Sequence, residues 1–153
     1  MPAEIDRIVK MLEKTFDKQP WFGSSIMSIL SDLDPKIVDK HPGTAHSIIE
    51  LILHMTSWRT FATKRLQGDG DYQVSDDQNF PKPGTWKEAV DGLKASQAAL
   101  VKAMKNFSEE KLGDIVPSNT LKYTYYTLLH GIIQHDIYHL GQIAILKKQF
   151  EKN

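Results

Sequence analysis

Two long apolar stretches of helical period dominate this chain, and histidine interrupts the apolar face of each. The first runs from Ser47 to Leu66, where Leu51, His54, Trp58 and Phe61 share a stripe. The second runs from about Tyr125 to Phe150, where Leu128, Ile132, His135, His139, Ile143 and Leu146 share one. Faces this apolar must be covered, so both helices are expected to turn their histidines toward a core. His135 and His139 stand four residues apart, a spacing that brings β-carbons to about 5–6 Å on one helix face. Two imidazoles so placed can point at one metal ion. A third from a neighbouring helix completes three facial ligands and leaves coordination positions open, the pattern of a catalytic rather than a structural metal site.

The competing interpretation is plain packing. A lone core histidine is most often satisfied by a backbone carbonyl or a hydroxyl, and that account suits His54 taken alone. HxxxH by itself is a loose pattern. It is the conjunction of the pair with a third buried histidine that favours a shared metal. His41 and His46 fall in the loop before the first histidine helix and are expected to be solvated. His130 lies about 140° round the helix from His135 and should not join the same ion. Asp136 faces away from the stripe and is expected to form a salt bridge with another helix.

The remaining elements follow from periodicity and caps. Ile5, Ile8, Val9, Leu12 and Phe16 recur at helical spacing with charges between them, giving a first amphipathic helix that breaks near Pro20. Ser24–Leu33 continues the pattern, and Asp34-Pro35 begins a turn. Ser47 with Glu50, and Thr85 with Glu88, are capping boxes, the second opening a helix over Trp86–Asn106. Residues 68–84 (GDGDYQVSDDQNFPKPG) are expected to be a polar loop, and residues 121–126 a short extended stretch. Four main helices in 153 residues predict an all-α fold, a four-helix bundle in one domain spanning 1–153.

Composition excludes several functions. Nineteen basic and nineteen acidic residues cancel, so no surface of the kind that nucleic acid requires is expected. There is no cysteine, hence no disulfide, Cys-zinc site or cysteine nucleophile. The N-terminal residues lack a signal-peptide apolar core, no run approaches a membrane span, and a cytoplasmic protein is the expectation. No GxSxG, P-loop, GxGxxG or ExxH motif is present. Leu129, Ile133, Ile137, Leu140 and Ala144 lie off the histidine stripe. Their cover could be another helix of the chain or a second subunit, and a homodimer is the expectation.

The segment LLHGIIQHDIYHLGQIAILKK, with HDIYHLGQI at its centre, resembles the C-terminal signature of DinB-like proteins. HSIIELILHMTSW resembles their second helix, and the likeness extends through WFGSSIMSIL to essentially the whole chain. The resemblance implies a bundle of up-down-down-up topology, usually a homodimer. It also implies a divalent metal, zinc or nickel, on three histidines that map onto His54, His135 and His139. The superfamily includes mycothiol-dependent maleylpyruvate isomerases and bacillithiol S-transferases. A thiol S-transferase is therefore the first expectation, with a low-molecular-weight thiol such as bacillithiol, a small electrophilic substrate, and Trp58, Tyr126 and Tyr138 as the pocket wall. No catalytic side chain is identifiable. A metal-dependent hydrolase and a non-catalytic, stress-related metal-binding bundle are the rivals; the absence of an obvious buried carboxylate beside the histidines disfavours the hydrolase.

Overall fold

In a computed structural model, described over residues 3–151, the chain is all-helical. The elements are α1 (Glu4–Asp17), α2 (Ile26–Ser31), α3 (Ile48–Leu66), α4 (Asp76–Asn79), α5 (Trp86–Asn106) and α6 (Tyr125–Glu151), with 3₁₀ turns at Pro35–Ile37 and Glu109–Gly113. Both expected capping boxes form: the Ser47 and Thr85 hydroxyls accept from the Glu50 and Glu88 amides, and each glutamate returns a bond to its cap. Each box satisfies two amides that a helix start would otherwise leave open. Just past the end of α3, Gly68 has a φ of 89°, which suits a residue without a β-carbon.

Each of α1 and α3 packs on both α5 and α6, which gives a four-helix arrangement. No helix among the described residues is long and apolar enough to cross a membrane. The expected extended stretch reduces to an isolated antiparallel bridge between Ile115 and Thr124, just before α6 begins.

The core falls into two apolar clusters. One gathers Phe16, Met55, Leu93, Leu140 and Ile143; the other gathers Leu12, Ala62, Leu100, Leu129 and Ile133. A polar layer separates them. On α3, Arg59 lies between Met55 and Ala62; on α5, Gln97 lies between Leu93 and Leu100; on α6, Asp136 lies between Ile133 and Leu140. Arg59 and Asp136 form a salt bridge with both side chains at 0% exposure, and Gln97 Oε1 accepts from Arg59 Nη1. The Arg59 guanidinium also lies 5.0 Å over the Phe16 ring. A charge buried this deeply must be paired and hydrogen-bonded, and this one is.

Burial bears on two expectations from the sequence. Leu129, Ile133 and Leu140 are buried within the chain, at 0%, 3% and 3% exposure. The chain's own helices cover these three, while Ile137 and Ala144 on the same side stay half-buried. Asp136, the residue after His135, is a buried carboxylate whose two oxygens are both bonded to Arg59. Its salt bridge to α3 is as expected from the sequence.

Candidate metal centre

α3 and α6 meet so that three imidazoles converge. His54 Nε2 and His139 Nε2 each lie 3.1 Å from His135 Nε2. The three are the one group of histidine or acidic side chains among the described residues whose ligand atoms come together closely enough to hold a metal ion. His54 and His139 are buried and His135 is half-buried.

Hydrogen bonding settles which nitrogens are free. His54 Nδ1 lies 2.8 Å from the Asn79 carbonyl, which can only accept, so the Nδ1–H donates. His139 Nδ1 lies 2.6 Å from Gln142 Oε1 and donates in the same way. A neutral imidazole carries one proton, so both Nε2 atoms present lone pairs. A proton on His135 Nε2 can satisfy only one of them, and His135 Nδ1 has no partner. A cation between the three resolves the conflict. Nitrogens bound to one ion at about 2.0–2.1 Å stand about 3.0–3.4 Å apart, the range in which these separations fall. The donor set therefore fits a divalent ion, with Asn79 and Gln142 fixing two of the three tautomers.

The electrostatics agree. Burial, reinforced by His139, His54 and Arg59, pushes His135 down to about 3. Burial also lowers His54, with help from His139 and His46 and against the Asn79 bond. Neutral imidazole is the form that ligates. Burial pushes the Asp136 carboxyl up, against the pull of the Arg59 guanidinium.

The expected polar loop contributes more to this site than its composition suggests. It contains α4, opened by a Ser75–Gln78 capping box. α4 ends on Asn79, whose side-chain oxygen accepts from Trp58 Nε1 at 2.9 Å while its carbonyl holds His54. Phe80 then stacks on His54 at 4.2 Å and on His46 at 3.6 Å. The S-x-x-Q pattern was the available signal for α4; nothing local marks Asn79 as a partner for residues more than twenty positions away. His41 and His46 are exposed as expected, and both contact Glu50 Oε2, at 3.0 and 3.3 Å. His130 stays outside the cluster, its ring 4.4 Å from that of Tyr126.

Beside the cluster lies a cavity of about 260 Å³ lined by Trp58, Phe61, Tyr123, Thr127, Leu128, Gly131, Ile132 and His135. Of the three expected wall residues, Trp58 lines it. Tyr126 and Tyr138 are not among its lining and are exposed, although the Tyr138 ring meets that of His139 edge-on at 5.0 Å. Tyr123 and Phe61 supply the other aromatic walls.

A sequence profile of the DinB superfamily matches residues 23–143. The chain belongs to the DinB superfamily. The match takes in all three histidines of the cluster. The fold also resembles that of a DinB-like protein from Bacillus subtilis, with a TM-score of 0.68 at 18% identity, covering 95% of this chain and 92% of that one. A DinB-like protein from Bacillus cereus superposes with a TM-score of 0.57 at 17% identity, covering 96% of this chain and 85% of that one. At such identities the likeness speaks for the fold alone. No curated protein sequence matches the chain. Superfamily membership and the three-histidine cluster together fit a metal-binding protein.

Proposed function

We propose that this protein is a metal-dependent transferase that joins a low-molecular-weight thiol to a small electrophile, with His54, His135 and His139 as ligands of one zinc or nickel ion. The observation that carries the metal assignment is the convergence of three Nε2 atoms, two of them held as lone pairs by Asn79 and Gln142. Three neutral imidazoles leave the ion's charge intact, and such an ion makes a bound thiol or water more acidic near neutral pH. A structural zinc takes four protein ligands, whereas three candidates converge here, which argues for an open site.

The residues around the cluster favour a thiol over water. Hydrolysis calls for a general base beside the ion. Asp136 is the buried carboxylate nearest in sequence, and both its oxygens are bonded to Arg59. The adjoining cavity, with Trp58 on one side and His135 on another, would hold the electrophile and exclude water. Bacillithiol is the thiol we would try first.

The test is metal analysis followed by a thiol panel with a model electrophile. We expect about one divalent ion per chain, faster conjugation with the metal-loaded protein, loss on chelation and return with zinc or nickel. The gain should vanish in His135→Ala that remains folded by circular dichroism. A solved site in which four protein ligands enclose the ion, with no cavity reaching it, would replace this reading with a structural metal.

A further inference from the structure

Gly131 sits in the interior of α6, where glycine costs roughly 0.5–1 kcal/mol relative to alanine. Two ordinary reasons for such a glycine are missing. Its φ is not positive, unlike that of Gly23, Gly43 and Gly68. No neighbour crowds it either, since an added β-carbon would meet nothing within 4 Å. What a side chain there would enter is the cavity beside His135, which Gly131 lines.

The chemistry of that cavity is uniform. None of its lining residues is Lys, Arg, Asp or Glu. Trp58 is fixed as a wall by its bond to Asn79, and Phe61 packs edge-on against it at 5.3 Å. Tyr123 and Thr127 supply hydroxyls, and burial pushes the Tyr123 phenol up, against the pull of the Arg65 guanidinium. An anionic group here would lose its water, and no lining side chain carries a positive charge to replace it; an ion on the histidines would be the cation at the cavity's edge. An apolar cavity of about 150 Å³ is enough for benzene; the 260 Å³ here leaves room for a substituted or fused ring.

We propose that Gly131 is a specificity-determining residue, its missing side chain keeping open a pocket that takes a neutral aromatic molecule against Trp58 and His135. As a statement about substrate class this rests on the transferase reading above; as a statement about binding it can be tested apart from it. The probes are 4-nitrobenzyl alcohol and 4-nitrobenzoate, nearly equal in size and differing in charge, titrated calorimetrically into the full-length protein after its zinc content is measured and the metal chelated, so that the carboxylate cannot bind through the ion.

The alcohol should bind at least about tenfold more tightly than the benzoate. Gly131→Leu should weaken alcohol binding at least about tenfold with zinc content unchanged. Gly131→Ala should weaken it less and melt about 2–4 °C higher. Gly92→Ala is the control, because Gly92 is also helical, also has open space at its β-carbon, and does not line this cavity; it should leave binding unchanged. Should Gly131→Leu not fold, a threefold loss in Gly131→Ala decides the matter in its place. Equal binding of the two probes, no binding of either, or unchanged affinity in the Gly131 variants overturns the proposal. Absence of zinc before chelation from a protein that still binds the alcohol would instead overturn the metal reading and leave the pocket standing.

Discussion

Arg59 grips Asp136 with two parallel hydrogen bonds, Nε to Oδ1 at 3.3 Å and Nη2 to Oδ2 at 2.7 Å, one residue beyond a member of the histidine cluster. Both side chains are wholly buried. Removing one partner would strand the other charge, at a cost of about 3–5 kcal/mol. Asp136→Ala should therefore unfold at markedly lower urea concentration than the parent. The joint replacement Arg59→Met with Asp136→Leu should recover much of that loss, because no charge is left unpaired. A single variant as stable as the parent would show that the pair is not a buried ion pair in solution.

The histidine cluster makes a compositional prediction. His54→Ala and His139→Ala should each lose most of the bound divalent metal, read by elemental analysis of protein purified in zinc-containing buffer. His130→Ala should keep it, since His130 lies outside the group that converges. Full retention in both cluster variants would sink the ligand assignment.

What could be read from the sequence was what is local. Ser47 with Glu50 and Thr85 with Glu88 announce helix starts because a cap and its reciprocal partner lie three residues apart. His135 and His139 announce a shared face because helical geometry alone aligns them. His54 joined them by way of its apolar stripe. Asn79, Gln97 and Phe80 could not be read this way, because their roles depend on how segments meet in space. α4 is four residues long, too short for periodicity to reveal. The second apolar side of α6 was visible as Leu129, Ile133 and Leu140, but a helix can be covered by its own chain or by another, and the pattern is the same in both cases.

A homodimer remains our expectation, now carried by a different surface. Tyr138 and Ile145, two turns apart on α6, are each 67% exposed. Light scattering at micromolar concentration should give a dimer mass, and Tyr138→Glu combined with Ile145→Glu should give a monomer. A monomeric parent protein would refute the expectation.

Metal-free protein should be acid-sensitive. Its fold holds His135 neutral down to about 3 and lowers His54 as well. An unfolded chain protonates the same imidazoles near about 6.5. Below that point the unfolded state binds more protons, so stability is full above it and is lost as pH falls toward 3. One such site contributes at most about 1.4 kcal/mol per pH unit. Urea denaturation of chelator-treated protein should show this loss between about pH 7 and about pH 5, and His135→Phe should reduce it. A flat profile in the chelated parent would mean that the cluster accepts protons freely while folded.

Asn79 ties the loop to the site through two different atoms: its carbonyl orients His54 and its side chain holds Trp58. Asn79→Ala leaves the carbonyl in place but removes the bond to Trp58. Losing one such bond costs about 0.5–1.5 kcal/mol of stability, and more if the indole N–H is left dry. The larger effect should fall on the metal. Partners that orient a ligand typically contribute about 10–100-fold in affinity, and a carbonyl no longer anchored through its own side chain should hold His54 less firmly. Zinc affinity measured by competition with a chelating dye should therefore fall by roughly tenfold, and the cobalt-substituted protein should show a changed visible spectrum. Asn79→Asp is the informative companion. It can still accept from Trp58, so it should keep most of the stability and the affinity. If Asn79→Ala binds zinc as tightly as the parent and gives the same cobalt spectrum, the loop covers the cluster without positioning it.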